Sequence, residues 1–304
     1  MSLGEHSAGQ SSARKPRIAL MGEFSAGKST LSNLLLGARP LPEKVTATRL
    51  SPVWISHGTQ APYREDIDGS TEPVLIDRLE GIPVENTRCI RLFLNSDILA
   101  LCDLIDFPGI SDPNMSSDVW ERMLPEVDAV IWCTHATQAW RQSEAAVWAM
   151  MPEIVREKSV LLITRFDKLT NDRDRLRVMK RVRRETESQF GAVFPIALLQ
   201  AIAAGDNPEL WRASGAGPFV EFLLGVIEEL SDLVATGVPP LFSTGQPKPE
   251  VEPLVLMAEE PAPAPAAEPE PEAVVQPRRV VRPVRVTEGR RPRPAATTPR
   301  PVLD

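Results

Sequence analysis

The sequence predicts an α/β sandwich of three layers, with a mostly parallel sheet between helices and a disordered C-terminal tail. Three observations predict it. Between about Pro16 and Ala235, short apolar runs rich in Val, Ile, Leu and Cys alternate with helical patterns. One strand-to-helix junction is rich in glycine. Composition then changes near Gly237, and 16 of the 30 prolines lie from Pro239 onward.

The strands follow in order. Arg17–Met21 is short and apolar, and Lys28–Leu36 after it begins a helix. Pro52–Ser56 and Cys89–Asn95 read as two further strands. Ala100–Asp106, Ala129–His135 and Ser159–Thr164 are continuous apolar runs, the pattern of strands buried on both faces. Trp140–Met151 and Asp172–Phe190 read as helices. Val193–Ala197 is a last strand, before helices at Leu198–Ala204 and Phe219–Ala235. Gly58–Thr87 is an insertion without an assigned element.

The domain boundaries follow from composition. Residues 1–15 read as a disordered lead, 16–237 as the folded domain and 238–304 as the tail. The tail is acidic first, through Glu259, Glu260, Glu268, Glu270 and Glu272. It is then basic, through Arg278, Arg279, Arg282, Arg285, Arg290, Arg291, Arg293 and Arg300. So little apolar surface cannot offset the entropy of ordering. The net charge of −7 argues against a nucleic-acid binder. No apolar run reaches the ~18 residues of a membrane span, so cytoplasmic residence is expected, with the membrane surface reached peripherally if at all. The three cysteines sit in apolar strands and are read as buried thiols.

The glycine-rich junction is Gly22-Glu23-Phe24-Ser25-Ala26-Gly27-Lys28-Ser29, which fits the P-loop pattern G-x-x-x-x-G-K-[ST]. Its context is a strand before and a helix from Thr30 onward, so the fold class becomes that of P-loop NTPases. Glycines let backbone N–H groups approach phosphates, and the helix N-terminus favours an anion. Lys28 is expected on the β- and γ-phosphates and the Ser29 hydroxyl on Mg2+. Asp106-Phe107-Pro108-Gly109 ends another strand. Asp106 there can hold Mg2+, and the Gly109 N–H can meet the γ-phosphate. A threonine should close over the metal. Thr46 and Thr48 are both candidates, and Thr48 is favoured because it directly precedes a strand.

The base is read elsewhere. After the strand Val160–Ile163 comes Thr164-Arg165-Phe166-Asp167. A carboxylate at Asp167 can accept from the N1–H and the 2-amino group of guanine, which adenine does not offer in that arrangement. The segment is similar to the [N/T]-K-x-D box of GTPases, with Arg165 for Lys and able to stack on the base. Ala197 and Leu198 stand where backbone N–H groups would meet the guanine O6. The ligand expected is GTP with Mg2+.

With these residues in place, the sequence resembles the dynamin superfamily, specifically the bacterial dynamin-like GTPases. The match runs from Gly22 through Gly37, then Leu41-Pro42, Thr46-Ala47-Thr48 and Asp106-Phe107-Pro108-Gly109. The resemblance implies GTP hydrolysis, with Ser25, Lys28 and Thr48 as the catalytic set, and nucleotide-dependent pairing of GTPase domains. Eukaryotic dynamins carry a glutamine where Phe24 stands, which implies slower turnover here. No pattern for the helical stalk of membrane-remodelling dynamins is seen outside 16–235. An alternative is a nucleotide-gated scaffold with little turnover that presents its Pro/Arg-rich tail to a protein partner or an anionic membrane. The arginine-rich stretch Asn171–Gln189 is read as a solvated helix face.

Overall fold

The computed structural model describes residues 14–37, 51–111 and 116–245. Its order of elements is β1 (Arg17–Gly22), α1 (Lys28–Leu36), β2 (Val53–His57), β3 (Tyr63–Asp66), β4 (Thr71–Pro73), β5 (Thr87–Leu94), α2 (Asp97–Leu101), β6 (Asp103–Asp106) and α3 (Asp118–Glu121). It continues with β7 (Ala129–His135), α4 (Gln142–Trp148), α5 (Glu153–Glu157), β8 (Val160–Thr164), α6 (Asp172–Glu185), β9 (Ala192–Pro195), α7 (Leu198–Ala204), α8 (Pro208–Ala213), α9 (Ala216–Ala235) and α10 (Leu241–Gly245).

The described strands form one sheet in the order β4-β3-β5-β2-β6-β1-β7-β8-β9. β1 pairs in parallel with β6 and with β7, and the parallel run continues through β8 to β9. β2 also pairs in parallel with β5 but meets β6 antiparallel. The mostly parallel α/β sandwich expected from the sequence is therefore what forms. In β7 all but His135 are buried, and β8 is buried throughout. This is why their apolar runs do not alternate: helices cover both faces.

Several boundaries differ from the sequence reading. Ala100 and Leu101 belong to α2, because the chain makes a helical turn before Cys102 and only then enters β6. The unassigned stretch 58–87 folds as the hairpin β3–β4, which extends the sheet antiparallel to β5. Trp140 lies outside α4, at φ 58°. It packs edge-on against Trp132 and Phe190, with ring centroids at 6.1 and 5.3 Å.

The ends of the domain also differ. The lead 1–15 was expected to be disordered, yet Arg14 donates to both oxygens of Asp128 at 2.6 and 2.9 Å. Lys15 donates to the Leu99 carbonyl at 2.7 Å. The tail was expected to begin at 238, yet Leu241 and Phe242 are buried in the core as part of α10. The Asp128 carboxylate also accepts from the backbone N–H of Arg17 and of Leu241. One buried acid thus joins both ends of the described chain to the start of β7. Residues 1–13 and 246–304, and with them most of the lead and tail, lie outside the described residues.

Candidate nucleotide site

The site lies at the C-terminal ends of β1, β6, β7 and β8, where the parallel strands hand over to their loops. Gly22 ends β1 at φ 140°, and a Cβ there would stand 2.2 Å from the Cys133 carbonyl oxygen of β7. No side chain fits. Gly27 caps α1 at φ 94°, where L-residues are strained. Between them Ser25 adopts φ 58°, a left-handed conformation outside glycine's preserve. A residue held there costs on the order of 1 kcal/mol, so its neighbours must hold it.

Two residues at the end of β8 and just beyond it do so. The Thr164 hydroxyl donates to the Ala26 carbonyl at 2.7 Å and lies 3.1 Å from that of Thr134. The Arg165 guanidinium donates to the Ser25 carbonyl at 3.0 Å. Arg165 itself takes φ 51°, which turns the chain back toward the phosphate loop. A contact between Arg165 and the P-loop was not anticipated from sequence, where the residue was read only as a stacking partner. It gives the Thr-Arg pair a structural task alongside any contact to a base.

Lys28 is buried at the start of α1, and its ammonium donates to the carbonyls of Gly22 and Glu23 at 3.1 and 3.0 Å. Desolvation lowers its pKa, opposed by the charge of Asp106. Asp106 ends β6 facing it. Burial pushes the Asp106 carboxyl up to about 6, opposed by Lys28. The loop after Asp106 lies directly on the P-loop. A Cβ on Gly109 would approach the Phe24 Cα and N to 2.9 Å. The Ile110 N–H donates to the Gly22 carbonyl at 3.3 Å, and the Phe24 N–H donates to the Ser111 hydroxyl at 3.3 Å. The Phe24 side chain remains half exposed.

One cavity borders the P-loop, and a second lies beside the segment that follows β8. The first, of about 450 Å³, is lined by Phe24, Ser25, Ser111, His135, Arg141 and Arg165, among others. The second, of about 290 Å³, is lined by Asp167, Arg175, Ile196, Ala197 and Ser214 among its residues. Asp167 and Ala197, from separate loops, thus share one cavity, as a base site would require. The Ala197 N–H, however, donates to the Ser214 carbonyl at 2.8 Å. The α8–α9 turn has claimed that donor, so the expectation that Ala197 offers its N–H to a base is corrected. Leu198, the first residue of α7, is buried and would stand 3.3 Å from a Cβ on Gly27. Its side chain closes the floor under the P-loop. Ser29 and Thr30 lie in the first turn of α1. Thr46 and Thr48 lie outside the described residues.

His135 was given no role from sequence. Its Nδ1 accepts from the Thr137 N–H at 3.2 Å, and burial together with Arg165 and Arg141 lowers its pKa. Glu144 was not singled out at all. It is buried and accepts from the Trp132 indole, the Thr134 hydroxyl and the Arg141 N–H, each at 2.9 Å. This knot ties α4 to β7 beside the P-loop. A charged residue within the otherwise apolar face of α4 was its only signal in the sequence.

Residues 18–166 match the dynamin family. Dynamin-like protein 2 of Campylobacter jejuni is 26% identical over 159 residues, covering 50% of this chain and 26% of that protein. Two solved structures of an oligomerised bacterial dynamin pair, described as sensing and tethering membranes at long range, also align. One does so with TM-score 0.56 at 17% identity, covering 74% of this chain and 40% of its own, and shows the shared fold. The other aligns with TM-score 0.49 at 19% identity, over 72% of this chain and 36% of its own. The chain thus spans about a quarter of the curated relative it matches. The P-loop, Asp106 and the Thr164–Arg165 contacts all lie inside the matched residues, so the segment that matches the dynamin family is the one that builds this site.

Proposed function

We propose that this domain binds GTP with Mg2+ and hydrolyses it to GDP and phosphate, acting as a dynamin-like switch or motor domain. One observation carries the reading. The segment that holds the base-reading candidate Asp167 is bonded to the phosphate loop through Thr164 and Arg165. A single rigid unit would then position base and phosphates together, the first requirement of phosphoryl transfer.

The residues present suit the metal. Among the described residues no three His, Cys, Asp or Glu side chains gather as a metal cage. Mg2+ prefers one or two carboxylates with phosphate and water oxygens. Asp106, a buried carboxyl pushed toward neutrality, is the group a dication would return to its charged form. Ser29 would supply the hydroxyl and Thr48 would close over the ion. When bound, Mg2+ neutralises charge developing on the phosphates. The P-loop N–H groups and Lys28 orient the phosphates, the Gly109 N–H meets the γ-phosphate, and Asp167 selects guanine.

Nucleotide-dependent pairing of two such domains is part of the reading, as is peripheral contact with membranes of the kind its bacterial relatives tether. No helix among the described residues is long and apolar enough to cross a membrane. The second reading, a slow nucleotide-gated scaffold, is favoured by Phe24, which places a half-exposed apolar ring at a P-loop position held by a polar residue in eukaryotic dynamins. GTP turnover measured against protein concentration, with Lys28→Ala as control, decides between them. Turnover per molecule that rises with concentration supports the first reading. Nucleotide binding with negligible turnover at every concentration supports the second, and no binding of either nucleotide overturns both.

A further inference from the structure

A carboxylate in a phosphate-binding loop is an electrostatic anomaly, because it repels the ligand the loop exists to hold. Glu23 is such a residue. It directly follows Gly22, and its charge is felt at Lys28 and at Glu144. The structure shows how the charge is managed. Arg141, at the entry of α4, donates to one Glu23 oxygen at 2.7 Å, and the Ser143 hydroxyl donates to the other at 2.5 Å. The Glu23 side chain is 12% exposed and that of Arg141 44%, so the acid is largely buried while its arginine stays open to solvent and to screening by salt. Arg141 is itself held, since its backbone N–H donates to the buried Glu144. Arg141 also lines the cavity beside Phe24, Ser25 and Arg165.

We propose that Arg141 is a positioning residue of the phosphate site, which neutralises the Glu23 carboxylate and draws it toward α4, away from the phosphates. The proposal rests on the reading of this loop as a GTP site. It makes Glu23, together with its arginine, a way of setting the charge of the P-loop from a neighbouring helix. Removing the arginine alone leaves an uncompensated acid beside the phosphates. Removing the acid as well relieves that repulsion, although it takes away the rest of the latch.

The test is equilibrium binding of fluorescent GDP and GTP to the full chain, native and variant, with thermal melting as a folding control. Arg141→Ala is expected to weaken both nucleotides about tenfold at low salt, as loss of one charged hydrogen bond predicts. The loss should shrink in high salt. Glu23→Gln added to Arg141→Ala should restore most of the affinity, and Arg141→Lys should fall between. A purely structural latch would show the opposite, because the double variant breaks more bonds. Native-like binding by Arg141→Ala, or a double variant no better than the single, overturns the proposal. If the native chain binds neither nucleotide, the functional reading fails instead and takes the proposal with it.

Discussion

The Thr164 hydroxyl donates to the Ala26 carbonyl at 2.7 Å, across 138 residues of sequence. Through it the end of β8 holds the middle of the P-loop, and Arg165 repeats the contact one residue on, at Ser25. Thr164→Val keeps the shape and removes the donor, leaving a buried carbonyl without this partner. We expect nucleotide affinity to fall about tenfold, the equivalent of one lost hydrogen bond of ~1–1.5 kcal/mol. Titration calorimetry with GDP checks this, and unchanged affinity would count against the loop needing support from β8.

Asp167 faces the cavity it shares with Ala197. Asp167→Asn should move preference from guanosine toward xanthosine triphosphate, because the amide can donate to the 2-oxo group where the acid could only accept. Competition binding with the two nucleotides reads the change. Equal preference for ATP and GTP in the native chain would remove the guanine assignment altogether.

Asp106 has its carboxyl raised to about 6 by burial. Below that pH it is protonated and a poor ligand for Mg2+, and above it the charged form binds. Mg2+-dependent nucleotide affinity should therefore rise as pH increases from about 5 to 7, the window set by that raised value. The sign for stability is the reverse. The folded value lies above the ordinary carboxyl value of about 4, so without metal this group's contribution to stability is full below about pH 4 and is lost as pH rises from there to about 6. A pH titration with and without Mg2+ tests both, and a pH-independent Mg2+ effect would dismiss Asp106 as ligand.

Arg14 pairs with Asp128, whose side chain is 1% exposed. Arg14→Ala removes the charged partner of a buried carboxylate that keeps the N–H groups of Arg17 and Leu241, and should destabilise the domain by about 2 kcal/mol. Chemical denaturation reads this directly. A loss below about 0.5 kcal/mol, the level of an exposed pair, would show that the N-terminal contact is dispensable.

Gly22 admits no Cβ, since one would stand 2.2 Å from the Cys133 carbonyl oxygen. Gly22→Ala should therefore lose nucleotide binding and much of its stability together, because the obstacle is backbone, which cannot swing aside. Soluble Gly22→Ala that binds GDP normally would contradict the close approach of β1 and β7.

Much of this was legible in the chain itself. The motif from Gly22 to Ser29 is local, and its glycines and lysine announce themselves because phosphate chemistry demands those residue types in consecutive order. The apolar runs of β7 and β8 likewise announced strands buried on both faces, and that of β1 a short strand. Asp106 was singled out because it ends a strand, and Asp167 because it stands in the short segment that follows one. Only the tertiary structure decided the rest. It spliced the hairpin β3–β4 onto the sheet, folded Arg14 and Leu241 onto Asp128, and took the Ala197 N–H for Ser214. It also set Arg141 against Glu23. Each of these joins groups distant in sequence through a hydrogen bond or an ion pair. Such a bond depends on an approach of a few ångströms between elements, and residue type and spacing along one strand or helix carry no record of that distance.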